Sequence, residues 1–141
     1  MALAEKLSIP VATSVNGKGT ILYGHPLSVG VVGSYSARCA NQVVSEADLV
    51  IYVSDNQSWV DARSAGSTET MRQWGAFKER NPKAKLVCID VQPFANTQAK
   101  EREDVLNVGG FSDEVFEVVN AFADGTLHGG HWVERIEKIE V

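Results

Sequence analysis

Two glycine clusters offer the first chemistry to weigh. Gly17-Lys18-Gly19 and the Gly30/Gly33 pair put residues without a Cβ where backbone N–H groups can approach an anion, as they do in phosphate cradles. Neither completes a Gly-x-Gly-x-x-Gly or a Walker spacing, so both read first as turns. Ser14, Ser36 and Ser58 have no nucleophile-elbow sequence around them, and no His-Asp pair stands at a spacing that would activate a hydroxyl. Asp90 and Glu69 are acids to which the sequence assigns no partner. Cys39 and Cys88 lie far apart with no Cys-x-x-Cys, which predicts two reduced, buried thiols and neither zinc nor a redox dithiol. His25 precedes Pro26 in a turn, while His128 and His131 fall in the glycine-rich GTLHGGHW and read as loop. The densest basic stretch, Arg63, Arg72, Lys78, Arg80, Lys83 and Lys85, raises RNA contact, but on a helix and its exit it reads as a solvated face. No catalytic residue is predicted.

The elements that must position these residues alternate. Aliphatic runs at Ile9 to Ser14, Leu49 to Ser54, Leu86 to Val91 and Val105 to Val108 are strands, and VATSV, DLVIYVSD and KLVCIDV are nearly continuously apolar, as in a parallel sheet covered on both faces. Between them, Ala40, Val43, Val44 and Ala47 form a helical stripe that Ser34 or Ser36 can cap. Met71, Trp74 and Phe77 mark the next helix, capped by Ser67 or Thr68 and stopped near Asn81-Pro82. Asp113 and Glu114 suit a helix start after Ser112, with Val115, Val118, Val119 and Phe122 as its buried face and Gly125 as its end. A last amphipathic helix, about His131 to Glu140 with Trp132, Ile136 and Ile139, is expected to pack back on the sheet. The fold class this predicts is a three-layer, Rossmann-like α/β domain, 1–141, with a mainly parallel sheet and helices on both faces.

The chain has 141 residues, of which 44% are hydrophobic, enough for one core. A net charge of −5 opposes any broad attraction to nucleic acid or an anionic membrane. No stretch reaches the roughly 18 apolar residues of a membrane span, and the start MALAEKLSIP lacks a basic region followed by a long apolar run. A cytoplasmic protein with no membrane partner is expected.

Two resemblances sharpen this picture. The run Ile9-Pro10-Val11, Gly17-Lys18-Gly19, His25-Pro26-Leu27, Gly30 through Gly33 and Glu46-Ala47-Asp48-Leu49-Val50 resembles the middle domain of thiamine-diphosphate-dependent enzymes of the acetolactate-synthase type, over residues 1–53. In that family the thiamine lies between two other domains, and some members bind FAD through the loop after the strand that corresponds to Leu49–Val53. Here that loop reads Ser54-Asp55-Asn56-Gln57, without a Gly-x-Arg sequence and with a carboxylate that would repel a phosphate. From Ser54 onward, over residues 54–141, the sequence is similar to the C-terminal part of the von Willebrand factor A domain of Ro ribonucleoproteins. That similarity is carried by Asp55-Asn56, Asn81-Pro82-Lys83-Ala84-Lys85-Leu86 and Leu106-Asn107-Val108-Gly109-Gly110-Phe111.

The second resemblance implies a metal-ion-dependent site at the C-terminal edge of the sheet. Asp55 matches its late aspartate, the Asp-x-Ser-x-Ser loop is absent, and Ser34 and Ser36 take the place of its threonine loop. One carboxylate and two hydroxyls imply weak Mg²⁺ binding at best. Taken together, the two resemblances predict an engineered or recombined α/β chimera, joined inside Ala47–Asp55, that is not an enzyme and holds no cofactor beyond weak Mg²⁺. The alternative is a von Willebrand A-like binding module with a reduced Mg²⁺ site, from a Ro-type RNA-binding protein, with RNA binding not expected of this segment alone. Strain from the join is expected where Val50, Val53, Val87 and Ile89 meet Val43, Met71 and Phe116.

Overall fold

The computed structural model describes residues 2–54, 69–91, 99–100, 102–110 and 112–127. The chain divides into two compact units, Met1–Ala47 and Asp48–Val141.

The first unit opens with helix α1 (Ala2–Leu7), whose exit turn carries Ser8 at a φ of 53° and returns Ile9 N–H to Ala4 O at 3.1 Å. Pro10 then delivers the chain to strand β1 (Val11–Thr13), which pairs in parallel with β2 (Ser28–Val31). The sequence reading lacked β2. It is four residues long, its third residue is Gly30 at a φ of 91°, and no side chain of it is fully buried, so neither alternation nor a long apolar run announces it. Helix α2 (Arg38–Ser45) follows and packs on β2, with Ala40 fully buried. Neither Ser34 nor Ser36 caps it: the N-cap is Ala37, with no side-chain hydrogen bond.

The second unit is a parallel sheet in the order β3 (Leu49–Ser54), β4 (Lys85–Asp90), β5 (Val105–Gly109). Every residue of β3 has a partner in β4, from Leu49 opposite Lys85 to Ser54 opposite Asp90. Helix α3 (Glu69–Arg80) connects β3 to β4, and α4 (Asp113–Ala123) follows β5. Central β4 is buried from Leu86 through Asp90, which explains why KLVCIDV has no polar alternation.

Side-chain alternation along β4 sends its residues to two faces. Leu86 and Cys88 join Trp74 of α3, with Ala84, Ala99 and Val105, in a core that Val50, Met71 and Phe77 complete. On the opposite face, Lys85 reaches the last turn of α4 and donates to Phe122 O at 2.6 Å and Ala123 O at 2.9 Å. Val87 and Ile89 share that face with Lys85 and are among the largest fully buried side chains, while α4 buries Val115, Val119 and Phe122. A helix therefore lies on each face of the β3–β4–β5 sheet, and the α/β, Rossmann-like class with parallel strands holds. Of the residues expected at a join, Val50 and Met71 pack on the Trp74 core and Val87 and Ile89 are fully buried, while Val43 and Val53 are 37% and 47% exposed. The predicted helix over 131–140 lies outside the described residues. Among the described residues, no helix is long and apolar enough to cross a membrane.

Candidate functional site

In a parallel pair both strands end at the same edge, and ligands of open α/β sheets collect there. At that edge of β1 and β2 lie the Ser14–Thr20 turn and the Val32–Ala37 connection, the two glycine clusters of the sequence. Ser14 Oγ accepts the Gly17 N–H at 3.0 Å, and the Thr20 hydroxyl donates to Gly17 O at 2.9 Å. The N–H of Gly33, a residue at a φ of 120°, donates to Asn41 Oδ1 at 2.9 Å. The Gly17 and Gly33 amides are therefore taken by the protein's own side chains, Ser14 and Asn41, and Gly19, Gly30 and Gly33 stand at positive φ, which favours glycine.

Of the predicted metal residues, Ser34 and Ser36 are in this connection and Asp55 lies outside the described residues. Ser34 is exposed, whereas Ser36 Oγ accepts from Asn41 Nδ2 at 2.8 Å. The nucleotide loop of the first resemblance, from Asp55 on, also lies outside the described residues, as do His128, His131, Ser58 and Arg63. Among the described residues, no group of three or more His, Cys, Asp or Glu side chains could hold a metal ion.

The other candidate groups serve the fold. His25 is poised between Glu5 Oε1, 3.2 Å from Nε2, and the Leu27 N–H, which donates to Nδ1 at 3.2 Å. Cys39 is exposed, against expectation, and Cys88 is buried as expected, its thiol pushed up to about 11 by burial. The basic stretch is largely consumed within the second unit. Arg72 forks onto Glu69, whose carboxyl the Arg72 and Gln73 hydrogen bonds hold down at about 2. Lys78 donates to Ala84 O at 2.8 Å and to Pro82 O, Lys85 caps α4, and Arg80 lies 6.0 Å from the Phe77 ring centre. Sequence reasoning missed two residues of consequence. Asn41, on α2, makes three hydrogen bonds back to the preceding loop, and Asp104 draws together Trp74, Lys78 and Arg102. No spacing rule finds either, because both act across loops.

What decides among the readings is how far a single family pattern runs. The family described as "Thiamine pyrophosphate enzyme, central domain" matches residues 1–117, through β3 and onward to the middle of α4. The chain belongs to this family. A probable acetolactate synthase large subunit of Methanocaldococcus jannaschii is 29% identical over 141 residues, 99% of this chain and 22% of its own length. The acetolactate synthase isozyme 1 large subunit of Escherichia coli K12 is 32% identical over 113 residues, covering 74% of this chain and 18% of its own length. A 3D-(3,5/4)-trihydroxycyclohexane-1,2-dione hydrolase of Geobacillus thermodenitrificans is 46% identical over 50 residues, 36% of this chain. The chain spans about a fifth of the length of the two synthase subunits.

These findings correct four expectations. Residues 54–117 are thiamine-enzyme central domain, so the von Willebrand A and Ro assignment falls, and with it the RNA-binding module. The match runs through Ser54 without a break, so the chimera falls too: one relative aligns across 99% of the chain. The features that suggested a second parent, a proline-stopped helix before a buried strand and a strand ending in Gly109-Gly110 before a helix, are those of any βα repeat, which is why they matched. The expectation of a non-enzyme falls because the family is one of enzymes. The expectation of no cofactor falls as well, since the family is named for thiamine pyrophosphate. The described residues nonetheless do not fit that group. Its diphosphate calls for a divalent ion on oxygen ligands, and they supply no acidic cluster to hold one.

Proposed function

We propose that this chain works as the central domain of an acetolactate-synthase-type enzyme. The observation that carries the reading is the extent of the match: relatives named as acetolactate synthases align over both units, on either side of the division at Ala47/Asp48. The structure suits a scaffolding part. A central strand buried from Leu86 through Asp90 and a helix on each face of the sheet make the second unit a well-packed body. Thiamine pyrophosphate and its metal ion, on this reading, are held by portions of the enzyme beyond the described residues.

The test is an assay of the full-length polypeptide that contains this segment. Acetolactate formation that requires added thiamine pyrophosphate and Mg²⁺ is expected. No acetolactate, with hydrolysis of 3D-(3,5/4)-trihydroxycyclohexane-1,2-dione instead, would assign the chain to the other named relatives and overturn the reading.

A further inference from the structure

Asn41 is exposed, yet both polar atoms of its side-chain amide are turned back on the connection between β2 and α2. Oδ1 accepts the Gly33 N–H at 2.9 Å, and Nδ2 donates to Gly33 O at 3.1 Å and to Ser36 Oγ at 2.8 Å. One side chain thus grips both ends of the Gly33–Ser36 stretch. It grips Gly33 by both backbone groups, at the one residue of that stretch whose φ of 120° L side chains rarely adopt.

In an exposed loop each of these bonds is worth about 1 kcal/mol net. What they impose is a single conformation. Ser34 and Tyr35, between the two gripped residues, are exposed, Tyr35 with 94% of its surface. The stretch leaves β2 at the C-terminal edge of the parallel pair, where α/β sheets carry their binding loops. A loop held rigid without being buried lowers the ordering cost of whatever contacts it.

We propose that Asn41 is a positioning residue for the reaction of the parent enzyme, fixing the 33–36 loop so that Ser34 and Tyr35 meet the remainder of the reaction site. This rests on the reading of the chain as an acetolactate-synthase central domain. Asn41 itself touches no substrate; it acts through the loop.

The experiment compares the full-length enzyme with its N41A, N41D and Y35A variants. Amide exchange of the peptide spanning residues 32–37, read by mass spectrometry, should quicken about three- to tenfold in N41A, the factor for losing a hydrogen bond of roughly 1 kcal/mol. N41D keeps the acceptor for Gly33 N–H but loses both Nδ2 donations, so its exchange should fall between those of N41A and the wild type. KM for acetolactate formation should rise about three- to tenfold in N41A, follow in Y35A, and recover in part in N41D, with the thermal midpoint lowered by no more than a few degrees in all three. An active wild type whose N41A variant shows unchanged exchange and KM overturns the inference alone, as does a loss of activity that merely tracks a lowered midpoint. A wild type that forms no acetolactate overturns the functional reading and this role with it.

Discussion

Asp104 gives the sharpest test of how the second unit is held together. It sits in the turn before β5 and accepts the Trp74 indole N–H on Oδ2 at 2.9 Å. Arg102 Nε donates to Oδ1 at 2.8 Å, and the Lys78 ammonium lies 3.6 Å from Oδ2. Trp74 is 5% exposed and belongs to the core of α3 against β4, so its N–H has lost its access to water. Replacing Asp104 by alanine orphans that donor, at about 1–3 kcal/mol for a buried unsatisfied group. The ion pair with half-exposed Arg102 adds roughly half a kcal/mol. D104A should therefore destabilise by about 2–3 kcal/mol, or about 8–12 °C in thermal midpoint at roughly 4 °C per kcal/mol for a chain of this size. D104N keeps an oxygen for the indole and gives up only the charge, so about 1 kcal/mol is expected.

The assay is urea unfolding followed by circular dichroism, run as a double-mutant cycle with W74F, which removes the indole N–H. In the W74F background D104A should cost about 1 kcal/mol less than in the wild type. An equal cost in both backgrounds would refute the assignment of Asp104 as the acceptor that pays for burying Trp74. The pH dependence gives a second handle. Burial alone would raise the Asp104 carboxyl, but the Trp74 hydrogen bond, the Arg102 charge, its own backbone N–H and Lys78 outweigh it and hold the group below its ordinary 3.8. A carboxyl depressed on folding contributes stability that is present above its unfolded value and lost as pH falls through the folded one. The wild type should therefore lose stability below about pH 4 more steeply than D104N.

Other outcomes follow from single positions. In the native protein at pH 8 a thiol reagent should label exposed Cys39 and spare Cys88, whose second equivalent should appear only in denaturant, as peptide mapping will show. Because burial raises Cys88 from 9.0 to about 11, stability should decline from about pH 9 upward, where the unfolded thiol ionises first, and C88A should flatten that decline. Ile89→Ala in the centre of β4 should cost about 2–5 kcal/mol in urea unfolding, whereas Val53→Ala, nearly half exposed, should cost under about 1 kcal/mol. Gly30→Ala should cost about 1–2 kcal/mol, since its φ of 91° strains an L residue and its new Cβ would stand 3.3 Å from that of Ala37.

Most of the second unit was legible because burial writes itself plainly into sequence. A strand covered on both faces has no polar alternation, and β4 shows none; α3 and α4 bury one stripe each, and Trp74 and Val115-Val119-Phe122 keep the helical spacing. The first unit was harder to read. Strand β2 is short, partly exposed and interrupted by Gly30, so nothing in its composition separates it from the turns around it. Serine near a helix start suggested caps at Ser34 and Ser36, yet the observed N-cap of α2 is Ala37, which makes no side-chain cap bond. The Ser36 hydroxyl instead accepts from Asn41, a partner five residues on.

The larger error, reading two parents into one chain, has the same root. A βα unit constrains where apolar residues, helix stops and glycines fall far more tightly than it constrains chemistry, so short windows of unrelated α/β proteins resemble one another. Asn81-Pro82 ends α3 because proline disfavours helix at the residue before it, and Lys85 opens β4 because its ammonium can reach back to the carbonyls that end α4. Those are solutions any α/β fold can reach, and they carried the resemblance to a second family. What separates common geometry from common descent is continuity across units that have no local reason to agree. Here a single family pattern runs from α1 to α4. A join inside β3 would have ended it at Ser54.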